Sequence, residues 1–338
     1  MIELTPALAF SQAAALSQAT ALSPAAALSK ASVLTQAPAI FDTLHGVGPA
    51  HTLCLPGLVP DGPETFIRQR LLLRSLGRSE VITYRKDCFD LDALIDACDH
   101  RLREVHAAGR RPVLLGVSVG GGIALELLRR AREAGRPLPL SAVVLISPLT
   151  CTGDLAPLLK RVLDPILTGD DPALAIERGR SLFRSLARGS AGENAEVPWT
   201  RLLTPSGWVA HQEQRLRERI EASIAAIGTR GALDRCQALT RFVGVDGPGK
   251  GPLATCPTMV LWGSRERHTL RMDGPGTSLL CRPDLAARLF PTCEVHWTYG
   301  QDGEEVPHAS LIRHAHAFNP HIARFLRRNL VSGQVTRA

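Results

Sequence analysis

The stretch Gly116-Val117-Ser118-Val119-Gly120 sets a serine two residues from a glycine on each side. An apolar run, Pro112 to Leu115, precedes it, and a helical pattern from Ile123 to Ala134 follows, with Gly121 and Gly122 extending the small residues. A strand that ends on a nucleophile and turns at once into a helix needs small neighbours at −2 and +2, because the two backbones pass close together. The serine then stands above the carboxyl edge of a sheet, at the amino end of a helix, where developing negative charge is favoured. The spacing predicts a nucleophile elbow with Ser118 at its tip and Gly116 and Gly120 as its flanks. A Gly-rich phosphate-binding turn is the rival reading. It lacks a Lys-Ser/Thr ending and an alternating G-x-G-x-x-G with a ribose-binding acid.

Serine is a poor nucleophile at neutral pH and needs a base within hydrogen-bond reach. Of the chain's eleven histidines, His308 is the best placed, in Glu305-Val306-Pro307-His308-Ala309, after the last expected strand and before the final helix. His268 is a weaker candidate. His314, His316 and His321 lie on or between helices, and His314-Ala315-His316 has no further ligand to complete a metal set. The base in turn needs an orienting carboxylate. Glu266 lies three residues beyond Gly263, the glycine that ends the strand Met259 to Trp262. Asp154, after the strand ending at Ser147, is its main rival for the acid; Asp302, Glu304 and Glu305 share the histidine's own loop. An oxyanion formed by acyl attack needs two backbone N–H donors. Val119, next to the nucleophile, supplies one on this reading. The loop Leu55-Pro56-Gly57-Leu58 supplies the other through Leu58, unless Pro56-Gly57 is an ordinary turn.

These residues need a scaffold that brings strand ends together. From residue 41 strand and helix signals alternate: His51 to Leu55, a helix from Pro63 through Leu73, Val81 to Tyr84, a helix carrying Leu91, Leu94, Ile95, Cys98, Leu102 and Val105 with a stop at Gly109, then Pro112 to Leu115, Ile123 to Ala134 and Ser141 to Ile146. That rhythm implies an α/β fold, a mostly parallel twisted sheet with helices on both faces. Residues 151–252 break it. They read as a helical insertion, cut at Pro198 and Pro205-Ser206-Gly207 and closed by the Gly/Pro-rich loop Gly247 to Pro252. Strands resume at Thr258 to Trp262 and Glu294 to Trp297, with a helix from Pro283 to Leu289 between them, and a last helical stretch from Ala309 to Leu330 is expected to break at Asn319-Pro320. The division is thus a leader over 1–40, a first core part over 41–150, an insertion over 151–252 and a second core part over 253–332.

The 338 residues suffice to bury a core, and 45% hydrophobic with 21% charged residues excludes wholesale disorder. No apolar run is long enough to span a bilayer. The net charge of +7 comes mostly from arginines scattered without a block, and aromatic residues make up only 4%, which disfavours nucleic-acid binding. The eight cysteines form no C-x-x-C pair and suit small buried hydrophobes in a reducing compartment, so a cytoplasmic location is expected. The leader repeats a hexad, as in Ala15-Leu16-Ser17-Gln18-Ala19-Thr20 and Ala21-Leu22-Ser23-Pro24-Ala25-Ala26. Six residues advance a helix by about 600°, so its leucines would spiral and form no stripe. A low-complexity tail is the favoured reading, over a β-coil. It lacks the features of a secretory signal peptide. In composition it resembles leaders of effectors delivered by bacterial secretion systems, the alternative location.

Together, Gly116–Gly120, Pro56-Gly57, Gly263–Glu266 and Pro307-His308 resemble the motifs of the α/β-hydrolase superfamily, over residues 45–150 and 253–330. The resemblance implies the chain order nucleophile, acid, base, met by Ser118, Glu266 and His308, and a helical lid where residues 151–252 stand. Two departures stand out: the family's usual acid is Asp, and the usual His-Gly of the oxyanion loop is Pro56-Gly57 here. The function implied is a serine hydrolase with a catalytic triad, cleaving a small-molecule or lipid-like carboxylic ester or thioester, with neither cofactor nor metal. Acyl transfer on the same triad, and a non-catalytic binding protein that keeps the fold, are the alternatives. The lid's apolar residues, among them Leu155, Leu159 and Leu163, either pack or line an acyl pocket.

Overall fold

The computed structural model describes residues 37–168, 173–174, 176–177, 181, 208–245 and 251–330. The leader up to residue 36, the breaks at Pro198 and Pro205 to Gly207, and residues 247–250 of the Gly/Pro-rich loop lie outside the described residues.

Seven strands form one sheet: β1 (Ala39–Leu44), β2 (Ala50–Leu55), β3 (Gly77–Tyr84), β4 (Arg111–Val117), β5 (Ala142–Ile146), β6 (Thr258–Gly263) and β7 (Cys293–Thr298). Their order across the sheet is β1-β3-β2-β4-β5-β6-β7. β1 runs antiparallel to β3, and all other pairs are parallel. The described helices are α1 (Gly62–Thr65), α2 (Arg70–Leu76), α3 (Leu91–Ala107), α4 (Val119–Glu133), α5 (Pro157–Thr168), α6 (Trp208–Ala225), α7 (Thr229–Leu239), α8 (Thr277–Leu280), α9 (Pro283–Leu289) and α10 (Ala315–Leu330). Among them, none is long and apolar enough to cross a membrane.

β2, β5 and β6 are buried at every residue, as parallel strands covered on both faces must be. Successive side chains point to opposite faces. Leu53, Leu55 and Leu114 therefore pack with Leu94 and Leu102 of α3 and Ile123 of α4, whereas Cys54, Val113 and Leu115 pack with Leu73 of α2 and Phe318 and Phe325 of α10. α3 illustrates the local logic. The Asp90 carboxylate accepts from the amides of Asp92 and Ala93, a cap worth about 1 kcal/mol. The helix then buries the periodic residues Leu91, Leu94, Ile95, Cys98, Leu102 and Val105 and ends ahead of Gly109, whose φ of 72° reverses the chain.

Three elements differ from the sequence expectation. Ala39 and Ile40, assigned to the leader, begin edge strand β1, whose alternating half-exposed residues carry little apolar signal. The helix expected from Pro63 to Leu73 is two helices, α1 and α2. Between them Gln69 is turned inward, where its amide donates to the Leu311 carbonyl at 3.1 Å and to Asn319 Oδ1 at 3.0 Å. Finally, α10 starts only at Ala315 and runs through Pro320 without ending. The Asn319 side chain there donates to the Arg68 carbonyl, so the proline lies where α10 docks beside α2.

Residues 151–252 fall between β5 and β6. Their described parts hold α5, α6 and α7 and a short 3-10 turn at Thr152–Asp154. All eight cysteines are free; Cys54, Cys98 and Cys236 are buried and the others half-buried.

Candidate active site

The parallel register sets the carboxyl ends of β2, β4, β5 and β6 side by side: Leu55 pairs with Gly116, Val117 with Ile146, and Ile146 with Leu261. Each candidate side chain leaves from this edge. Ser118 follows β4 directly, Glu266 lies in a 3-10 turn after β6, and His308 lies in the loop after β7.

Ser118 has φ 53° and ψ −115°, outside the regions a non-glycine residue ordinarily occupies. The turn is held by its amide donating to the Ile146 carbonyl at 2.8 Å and by its carbonyl accepting from Gly122 at 3.1 Å and Leu149 at 3.0 Å. Its neighbours have to be glycine. A Cβ on Gly116 would lie 2.6 Å from the Gly120 oxygen, and one on Gly120 would overlap the carbonyls of Leu55 and Pro56. Val119 opens α4, and the first amides of a helix have no intrahelical acceptor.

The structure brings Ser118, His308 and Glu266 into one line. His308 Nε2 is 2.8 Å from Ser118 Oγ, and His308 Nδ1 is 2.5 Å from Glu266 Oε2. A carboxylate only accepts, so Nδ1 carries the ring proton of a neutral imidazole and Nε2 is left to accept from the serine hydroxyl. Glu266 is 1% exposed. Its other oxygen, Oε1, accepts from the Gly263 amide at 2.9 Å and from the Ser147 hydroxyl. The same Ser147 Oγ accepts from the Ala309 amide at 3.1 Å, next to the histidine. Ser147 is fully buried, has φ 46° and thus links the acid to the base loop. Sequence reasoning took it only as the end of a strand. A polar residue at the carboxyl end of an otherwise apolar central strand was the available signal.

Asp154 is not brought to the histidine. It is 0% exposed, and its carboxylate accepts from the Thr150 hydroxyl at 2.5 Å and from the amides of Gly276 at 3.0 Å and Thr277 at 3.2 Å. These bonds tie the start of the insertion to α8. His268 lines the same cavity as Ser118 and is not bonded to it. Among the described residues no group of three or more His, Cys, Asp or Glu could hold a metal ion, and His314 and His316 stand with ring centres 6.0 Å apart.

Gly57 lies against the serine, where a Cβ on it would be in ordinary contact with that of Ser118 at 3.5 Å, and Leu58 lines the same cavity. Two residues unforeseen from sequence pin this loop. The Tyr84 hydroxyl donates to the Pro56 carbonyl at 2.9 Å, and Arg235 Nη1 donates to the Leu58 carbonyl at 3.1 Å. Arg235, 2% exposed, also donates to the carbonyls of Tyr84 and Arg85 and lies over the Tyr84 ring. Burial pushes its pKa below the ordinary arginine value, opposed by Asp61 nearby.

Ser118 and His308 open into a cavity of about 550 Å³, walled by Leu149, Leu155, Leu159, Leu163, Ile220 and Leu270 among others. That volume suits a small-molecule ligand.

The sequence family described as alpha/beta hydrolase fold matches residues 84–210. No curated protein matches the chain. Among solved structures, a thermophilic esterase from Thermogutta terrifontis is similar at 18% identity over 88% of this chain and 97% of its own, with a TM-score of 0.55. An esterase from Exiguobacterium antarcticum is similar at 14% identity over 86% and 95%, TM-score 0.53. A bromoperoxidase from Bacillus anthracis is similar at 17% identity over 85% and 94%, TM-score 0.55. Esterase and bromoperoxidase match alike, so what is shared at these identities is the architecture. Sheet order, elbow, family match and structural likeness agree: the chain has the α/β-hydrolase fold.

Proposed function

We propose that the protein is a serine hydrolase that cleaves a carboxylic ester or thioester through an acyl-enzyme, with Ser118 as nucleophile, His308 as general base and acid, and Glu266 as the orienting carboxylate. The observation that carries this reading is the continuous hydrogen-bonded line from Ser118 Oγ through both imidazole nitrogens of His308 to Glu266 Oε2. The similarity to esterases of the same fold supports it at the level of class.

In this mechanism Ser118 Oγ attacks the carbonyl carbon as its proton passes to His308 Nε2. The amides of Leu58 and Val119 receive the oxyanion, aided by the amino end of α4. Collapse breaks the bond to the leaving oxygen or sulfur, which takes the proton from Nε2. Water then attacks the acyl-serine, giving its proton to His308, and the acid leaves as the proton returns to Ser118. Glu266 holds the imidazole tautomer and stabilises the imidazolium formed in each half. The helical insertion acts as the lid, and its leucines line the acyl pocket.

A fluorophosphonate probe followed by peptide mass analysis tests this reading. Ser118 should be labelled in the wild type, labelling should vanish in Ser118→Ala, and p-nitrophenyl ester turnover should vanish with it. A folded protein that neither reacts with the probe nor turns over any ester or acyl thioester would overturn the proposal in favour of a binding role.

A further inference from the structure

The cavity beside Ser118 is asymmetric in charge. Its walls hold two arginines, Arg265 and Arg313, and among the described residues no Asp or Glu lines it. Among the described residues neither guanidinium makes a hydrogen bond or ion pair, and the Nε of Arg265 is buried without a partner. Other arginines, by contrast, meet carboxylates: Arg101 meets Glu80, Arg129 meets Glu126 and Arg219 meets Glu64.

The surroundings of Arg313 sharpen the point. Burial and the neighbouring Arg217 guanidinium of α6 push its pKa below the ordinary value, and Glu304 opposes them. Glu304 is itself turned toward His314 Nε2, at 3.5 Å. Arg313 thus has a second guanidinium in its surroundings, offset in part by Glu304. Arg313 is exposed on one side, whereas the buried, unmatched Nε of Arg265 costs stability unless something binds it. Arginine's planar fork is suited to carboxylate and phosphate oxygens.

Resting on the hydrolase reading above, we propose that the substrate is an anionic ester or thioester, whose hydrocarbon part lies against the leucines of the cavity and whose carboxylate or phosphate is received by Arg265 and Arg313. The leucine-lined wall excludes a purely polar substrate, and the unmatched arginines disfavour a purely neutral one. Whether the anion belongs to the acyl part or to the leaving group is a difference of source for the same chemistry, and the assay separates the two.

Two matched pairs of substrates provide the test: the p-nitrophenyl monoester of glutaric acid against p-nitrophenyl pentanoate, and butyryl-coenzyme A against the butyryl thioester of N-acetylcysteamine. The quantity read is the ratio of kcat/KM, anionic over neutral, within each pair. In the wild type at low salt at least one ratio should be about tenfold or more, the size of a charge-assisted contact. It should fall toward one in Arg313→Gln and shrink at high salt. Arg282→Gln, which removes an exposed arginine paired with Asp284 outside the cavity, should keep it. Ratios at or below one in both pairs would overturn the proposal, as would a ratio unmoved by Arg313→Gln or lowered equally by Arg282→Gln. If no substrate turns over and Ser118 is not labelled, the hydrolase reading fails separately. The anion site is then read by calorimetric titration of Ser118→Ala with monoethyl glutarate and diethyl glutarate. Tighter binding of the monoanion, lost on adding Arg313→Gln, upholds the site, and equal binding of the two overturns it.

Discussion

Ser147 carries a role that the motif residues alone do not suggest. It donates to Glu266 and accepts from the Ala309 amide, so one hydroxyl sets the spacing between the acid and the histidine loop. Removing it leaves Glu266 with the Gly263 amide and His308 but frees the loop to drift. Ser147→Ala should therefore lower kcat by about 10- to 100-fold with little change in KM, since small misplacements of a base are costly. Steady-state kinetics on any turned-over ester checks this, and a wild-type kcat would contradict it. Ser118 and its glycines were legible because the elbow leaves a spacing in the chain. Ser147 was not, because a serine before a proline at a strand end is equally an ordinary terminator. Glu266 and Asp154 could not be separated by sequence, since both follow strands of the same sheet. What separates them in the structure is the company each keeps: Asp154 is bound by Thr150, Gly276 and Thr277, while Glu266 faces the imidazole.

Loops and helices hold the rest of the site. Pro56 stands where the resembling family usually has a histidine, and nothing in the chain's pattern signals what props the loop instead. Tyr84, at the end of β3, and Arg235, on α7, do so from elements far apart in the chain, a contact that only tertiary packing reveals. Arg235→Met should leave the Leu58 carbonyl without its donor and lower kcat by about tenfold or more, given that loss of an oxyanion donor costs still more. Tyr84→Phe, which removes one bond to Pro56 and keeps the ring, should cost less. Equal, wild-type kcat values in both would remove the loop's support from the account. The buried strands β2, β4, β5 and β6 were readable as continuous apolar runs, because both faces are covered. β1 was not, being an edge strand with only one of its six side chains fully buried. The proline break expected in α10 did not occur, because packing of Phe318, Ile322 and Phe325 against the sheet outweighs one missing hydrogen bond near the helix start.

Across the molecule, one buried charge cluster ties β2 and β3 to α3. Glu80, 2% exposed, pairs with Arg101, His51 and Arg78. Burial raises its pKa, and the hydrogen bonds from Arg101 together with the adjacent His51 ring outweigh that, bringing it from 4.5 down to about 2. A depressed carboxylate contributes stability that is fully present above its unfolded value and lost as pH falls toward the folded one. Urea unfolding should therefore show the wild type losing stability between pH 4.5 and about 2 more steeply than Glu80→Gln, and parallel curves would contradict the pairing. Arg101→Met at neutral pH should cost about 2 kcal/mol, with His51 and Arg78 still beside the carboxylate. The sheet that this cluster braces delivers three loops to one edge, and the central claim is that Ser118, His308 and Glu266 act there as a single unit. Groups that act as a unit lose activity non-additively. The decisive measurement is kcat/KM on one ester for Ser118→Ala, His308→Ala and the double variant. Each single change should lower it by about 10⁴-fold or more, with the double variant no lower than the worse single. Effects that multiply in the double variant, or a Ser118→Ala protein that retains turnover, would contradict the account.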